Sequence, residues 1–200
     1  MASANLDLKN QLFTQIDILG QEQSLLPFSD TLIDQMIGQL ETINSVLQPL
    51  NPTNFSYLAG EWQLVYASNG TVVTRPIAEI TKTLGSTIKV NKIWQSLNNI
   101  DGDIIANNQA LIEFPLLGEY HLNAEGIWQP KYDQYTASVT FNLFSLQATK
   151  FLNQSDWILP EIQVPVLDFL QNEALWTTSY LDEDTRVGKG ASGNLFLFRR

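Results

Sequence analysis

The feature that most constrains this chain is a change of hydrophobic period at Pro52. Upstream, apolar residues recur at helical spacing. Downstream they alternate, one in two. A helix gathers side chains three and four apart onto one face, and a strand gathers those two apart. The chain therefore has to join helices to a sheet. Leu12, Phe13, Ile16 and Leu19 form the first helical face, and Gly20 supplies its stop. Leu32, Ile33, Met36, Ile37, Leu40, Ile43, Val46 and Leu47 predict a second helix of four turns. Ser29 or Asp30 caps its start, Asp30 and Asp34 suit its positive end, and Pro49 and Pro52 close it. Its polar face lacks the Lys and Arg of helices that lie on membranes, so its stripe is expected to pack on the rest of the chain.

After Pro52 the alternation predicts seven to nine strands. Glu61 to Ser68 is the first, followed by Asn69-Gly70, a strong hairpin signal, with Thr71 to Thr74 expected to pair back. Ser86 to Ile93 is the next, with Ile88 and Val90 on one side, and Asp101-Gly102 marks another tight turn. Ile104, Ala106, Ala110, Ile112 and Phe114 then share one parity, as do Tyr120, Leu122 and Ala124. The run Tyr135, Ala137, Val139, Phe141, Leu143 is the clearest half-buried strand, and its parity shift at Phe144 predicts a bulge. Residues 147–172, with Pro160, Pro165 and the apolar Trp157, Ile158, Leu159 and Val166, read as a long loop or short helical insertion. Leu175 to Leu181, Thr185 to Lys189 and Leu195 to Arg199 close the sheet. The expected fold is mainly β: an antiparallel β-barrel over residues 53–200, with two α-helices from residues 1–52 packed on it in one compact domain.

Charge and composition remove several classes of function. The net charge is −10, and a phosphate backbone or an anionic headgroup would be repelled. Nucleic acid is not an expected partner. With no cysteine there is no disulfide, thiolate nucleophile or Cys-based metal site. No apolar run reaches the ~20 residues of a membrane-spanning helix, and Met1 to Asn10 reads neither as a signal nor as a transit peptide.

Catalytic groupings are sparse. His121 is the single histidine and falls on the polar parity of its strand, so it is expected to be exposed. Asp182, Glu183, Asp184 and Arg186 are close in sequence, but a turn in which Asp182 accepts backbone N–H bonds explains their spacing more simply than acid–base work. Gly188, Gly190 and Gly193 match a dinucleotide spacing but precede a strand near the C-terminus, with no room for a βαβ unit. No metal or cofactor is expected and no enzymatic activity is assigned. The apolar face of Tyr66, Ile88, Val90, Ile112, Phe114, Leu122, Trp128, Val139 and Phe141 is the expected barrel interior. An interior of this size is either filled by side chains or holds one small ligand.

Two stretches carry a family resemblance. Leu58 to Ser68 and Trp176 to Phe198 are similar to the first and last strands of the plastid lipid-associated (fibrillin) family of plastids and cyanobacteria. The signature positions are Gly60, Trp62, Tyr180, Leu181, Asp182, Arg186, Gly190 and Gly193, with Tyr180 to Arg186 the most specific segment. Lys189, Ala191 and Ser192 depart from the family, which has a second Arg and an Asn or Asp there. The resemblance implies a lipocalin-like barrel, in which Trp62 would plug the closed end with Arg186 stacked on its indole, either flooring a cavity or simply closing the core. It also implies non-enzymatic binding of a prenyl lipid, quinone, carotenoid or fatty acid at thylakoid membranes or lipid bodies, in photoprotection or stress. The lack of a transit peptide suggests a cyanobacterial-type member, cytoplasmic and peripheral to the thylakoid. The 147–172 segment would then be a lid, a membrane-touching loop or packing over the barrel mouth. The competing readings are a scaffold with a filled barrel that binds a membrane or photosynthetic protein, and an enzyme on the same scaffold.

Overall fold

The computed structural model describes residues 2–43, 46–84, 88–152, 154, 158–165 and 174–200. Ser86, Trp157 and Val166, named above, lie outside the described residues.

Helix α1 (Ala2–Leu19) stops where expected: Gly20 takes φ +86°, a conformation open to glycine, and its N–H reaches the Ile16 carbonyl at 3.0 Å. A short α2 (Gln21–Leu25), not expected, follows. Helix α3 (Thr31–Thr42) starts at Asp30, whose Oδ1 accepts from the N–H groups of Leu32 and Ile33 at 2.9 and 3.1 Å. It is shorter than its apolar stripe predicted. Asn54 Nδ2 donates to the carbonyls of Leu47 and Gln48 at 2.9 and 3.1 Å, and Gln48 sits at φ +53°, so the chain there is a turn and Leu47 is 69% exposed. A 3-10 turn (Pro52–Asn54) and α4 (Phe55–Leu58) lead into the sheet. Three helices thus precede the 3-10 turn instead of two.

Nine strands follow among the described residues: β1 (Gly60–Ala67), β2 (Lys89–Ile100), β3 (Asp103–Phe114), β4 (Gly118–Pro130), β5 (Thr136–Phe151), β6 (Ile162–Val164), β7 (Ala174–Leu181), β8 (Thr185–Gly190) and β9 (Leu195–Arg199). All pair antiparallel in the order β4-β3-β2-β1-β9-β8-β7-β5-β6, and a β4–β5 pairing closes eight of them into a ring. The Asp101-Gly102 turn forms as expected, with both residues at positive φ. The bulge expected near Phe144 lies at Asn142.

Two segments differ from their expected form. Thr71 to Thr74 does not pair back. Thr71 Oγ1 accepts from the N–H groups of Val73 and Thr74 at 3.2 and 3.1 Å, which turns the chain into α5 (Thr74–Leu84). Residues 147–172 are not wholly loop: β5 runs on to Phe151, and Ile162 to Val164 pairs with Phe144 to Leu146 as β6. β6 therefore takes the upper part of the β5 edge, and among the described residues four residue pairs join β5 to β7.

Two cores flank the sheet. On its outer face, Tyr66, Tyr180, Val187 and Leu197 pack with Leu12, Ile16, Ile33, Met36, Ile37 and Leu40 of α1 and α3. Inside the ring, Trp62, Leu64, Leu97, Ile104, Ala106, Trp128, Ala137, Val139, Leu181 and Phe198 form the other.

Candidate ligand cavity

The closed end of the ring is packed by aromatic rings around a buried cation. Trp62 and Trp128 are buried, and Trp62 Nε1 donates to the Leu58 carbonyl at 2.8 Å. Arg186 is wholly buried, with its guanidinium carbon 4.2 Å from the Phe198 ring centre, 5.3 Å from Trp62 and 5.9 Å from Trp128. The expected Trp62–Arg186 stacking is present, but the closer cation over Trp62 is Arg200, at 4.2 Å. Arg200 also donates to the carbonyls of Tyr57, Ala59 and Glu183, which ties it across the closed end.

Above this packed end the ring is hollow. A cavity of about 410 Å³ opens between β2–β5, β6, the start of β7, β9 and the approach to α5. Its wall includes Leu64, Ile93, Ala110, Leu122, Phe141, Phe144, Leu146, Val164, Trp176, Phe196 and Phe198. Room exists partly because inward positions are small: Ala110 and Ala124 stand opposite Leu122 and Asn108. Gly188 is a special case. A Cβ there would lie 1.9 Å from the Trp176 ring, so the indole can rest on the strand only because residue 188 is glycine. Trp176 in turn packs on Phe196 and Trp128, at 5.2 and 5.6 Å between ring centres.

Of the residues expected inside, Leu122 and Phe141 line this cavity. Trp62, Trp128, Val139 and Arg186 belong to the closed end. Ile88, Val90 and Ile112 are buried in the inner core with Ile77 of α5, and Phe114 packs edge-on against Tyr120 at 5.5 Å. Tyr66 is not inside. A bulge between Leu64 and Tyr66 turns it to the helix side, where its hydroxyl accepts from the Asp30 N–H at 3.1 Å and donates to Asp34 Oδ1 at 2.7 Å. Burial first, and the Asp34 carboxylate beside it, raise its pKa far above the usual tyrosine range.

The signature residues divide between the two faces. Leu181 and Arg186 face inward and Tyr180 outward. Asp182 organises the turn between β7 and β8, as its spacing suggested: Oδ1 accepts from the N–H groups of Asp184 and Thr185 at 3.1 and 2.8 Å, and Oδ2 from the Tyr180 hydroxyl at 2.6 Å. Lys9 of α1 pairs with both Asp182 (2.9 Å) and Asp184 (2.5 Å), fastening the helix to this turn. Gly60 lies beneath Arg200, and the Gly193 N–H meets the Gly190 carbonyl at 2.9 Å to close the β8–β9 turn. His121 is half-buried on the outer face instead of exposed. Its ring stacks on Trp94 at 5.4 Å and its Nε2 lies 3.1 Å from Gln109 Oε1. Among the described residues no three acidic or histidine side chains converge as a metal site, and no helix is long and apolar enough to cross a membrane.

Sequence reasoning missed the inward polar pair Gln95 and Asn108, and the aromatics Phe144, Trp176 and Phe196. The pair did leave a signal. Gln95 stands between Ile93 and Leu97, and Asn108 between Ala106 and Ala110, on parities that are otherwise apolar.

The model of the PAP_fibrillin family matches residues 7–199. A curated relative, a probable plastid-lipid-associated protein 8 of the chloroplast from Arabidopsis thaliana, is 27% identical over 203 aligned residues, covering 97% of this chain and 72% of the relative. No solved structure matches the chain significantly.

Proposed function

Since the chain belongs to the PAP_fibrillin family, we propose that its ring is a lipocalin-like barrel whose cavity carries a lipid-like hydrophobic small molecule without catalysing its conversion. The observation that carries this reading is the cavity of about 410 Å³. That volume falls within the ~300–1,000 Å³ of small-molecule pockets. Each methylene of a guest moved from water into such a wall contributes about 0.8 kcal/mol, so even a modest chain is held. The relative's chloroplast setting and the exposed aliphatics at the β3–β4 and β5–β6 turns (Leu116, Leu117, Ile158, Leu159) support a peripheral position at a photosynthetic membrane or lipid body, reached by apolar contact. The competing reading, a scaffold with a solid barrel, needs an interior without this cavity. Organic extraction of protein purified from its host should release a prenyl lipid, quinone, carotenoid or fatty acid. A clean extract, with no uptake of a fluorescent fatty acid by the purified protein, removes the proposal.

A further inference from the structure

The cavity wall is mostly apolar, and two of its polar residues form a directly bonded pair. Gln95 on β2 and Asn108 on β3 face each other across the ladder, and both line the cavity. Gln95 is buried; its Nε2 donates to Asn108 Oδ1 at 2.6 Å, and Asn108 Nδ2 donates to the Ala124 carbonyl at 3.3 Å. Directly behind them Arg186 Nη2 donates to Gln95 Oε1. The other guanidinium nitrogens, Nε and Nη1, have no hydrogen-bond partner among the described residues, nor has the buried Nε1 of Trp176 in the cavity wall. Burial pushes the Arg186 pKa down to about 9, and the neighbouring charge that acts on it, Arg200, has the same sign. The cation is thus retained at neutral pH, and among the described residues no carboxylate offsets it. Aromatic faces soften that cost but accept none of its unmet N–H bonds. The unpartnered nitrogens of Arg186 and Trp176 are donors, and what they lack is an acceptor, best an anionic one; the unpartnered Oδ1 of Asn123 is an acceptor elsewhere in the lining.

We infer that Gln95 and Asn108, backed by Arg186, form a seat for the head group of a long-chain carboxylic acid, bound with its carboxylate inward. The inference rests on the reading that the cavity holds a lipid-like guest. The carboxylate takes the amide hydrogens that Gln95 and Asn108 do not spend on each other, and lies one side chain from the guanidinium, where low dielectric keeps the attraction strong. The alkyl chain runs past Phe141 and Phe144 toward the mouth at Val72. Arg75, the other cation of the cavity, stands exposed at its rim, where water screens it, so a head-outward pose gains little.

The test is calorimetric titration of delipidated protein with palmitic acid, methyl palmitate and hexadecanol. The acid should bind about tenfold or more tightly than the two neutral analogues, the effect of a buried charge-assisted contact. Gln95→Glu places a carboxylate against Arg186. This variant should fold, keep its affinity for methyl palmitate and lose the preference for the acid, whereas Arg75→Ala should keep that preference. As a readout that needs no variant, the carboxyl carbon of bound ¹³C-labelled palmitic acid should titrate at lower pH than that of the free acid. Equal binding of all three compounds, or a carboxyl that titrates at or above its free value, overturns the seat and leaves the cavity reading standing. A preference lost in Arg75→Ala but kept in Gln95→Glu overturns the inward pose. No binding of any of the three overturns the cavity reading itself.

Discussion

The two faces of the sheet are made by the same strands and finished differently. Outside, Tyr66, Tyr180, Val187 and Leu197 meet a helix surface with matching side chains, and each of the four is fully buried. Inside, the closed end is equally solid, but above Arg186 the strands face only one another across the ring. There positions 110 and 124 carry only alanine, and about 410 Å³ stays open. An eight-stranded ring sits at the size where side chains either just fill it or leave room for one guest. In this chain both outcomes occur, one above the other. If filled space serves stability and empty space serves the proposed binding, substitutions in the two regions should separate these properties.

The largest contrast is between a helix-side and a cavity-side truncation. Ile37→Ala should cost about 2–5 kcal/mol in chemical denaturation and leave ligand affinity unchanged. Leu122→Ala, at a wall that already faces empty space, should cost less than about 1.5 kcal/mol and alter affinity. Equal costs would break the comparison. Next comes Gly188→Ala. Its Cβ, 1.9 Å from the Trp176 ring, must displace the indole, at about 1–3 kcal/mol and with a shifted tryptophan emission. Unchanged emission would mean that Trp176 does not rest there. Tyr66→Phe removes a hydroxyl held between Asp30 and Asp34 and should cost about 1–2 kcal/mol, with fatty-acid uptake untouched. An effect on uptake would place Tyr66 back inside the ring.

The smallest effect is a pH dependence at the β7–β8 turn. Burial alone would raise the Asp184 carboxyl, but hydrogen bonds from Lys9 and Thr185 outweigh it and hold the pKa below the usual value. Burial alone would lower the Lys9 ammonium, and the two aspartates outweigh that as well and raise it. A depressed carboxylate adds stability above its unfolded pKa and loses it as pH falls through the folded value. A raised ammonium adds stability below its unfolded pKa and loses it at high alkalinity. The pair therefore contributes across neutral pH. Because Asp184 is largely exposed, the contribution is only ~0.2–1 kcal/mol. Lys9→Met should lower midpoint stability at neutral pH by that amount and make the loss below about pH 4 shallower. An unaltered acid profile would show that the pair contributes nothing.

The sequence was legible where local rules act alone. Alternation located β1, β7 to β9 and the start of β5 to within a residue or two, Asp101-Gly102 located its turn, and the Asp182 spacing identified a backbone-accepting turn. It was less legible where one extra residue resets the pattern. Strict alternation carries Tyr66 inward with Trp62 and Leu64, and the bulge between Leu64 and Tyr66 reverses it. A second bulge, at Asn91, lets Val90 and Ile93 face the same interior, so the inward residues of β2 beyond Val90 were hidden behind a parity change. Asn69-Gly70 promised a hairpin, yet the side chain of Thr71 bonds forward to its own backbone and starts a helix. Whether the interior is full or hollow depends on cross-ring distances, which no local pattern contains. Leu122 and Phe141 were identified as inward, while Gln95 and Trp176 emerged only once the strands were closed into a ring.

The most direct test of the hollow interior is diffraction from a crystal of delipidated protein under xenon pressure. An empty apolar cavity takes up xenon, whereas a packed core has no place for it. Xenon density bounded by Leu122, Phe141 and Phe144 is the result expected here. Side chains from opposite strands meeting across the ring, with no xenon between them, would contradict it.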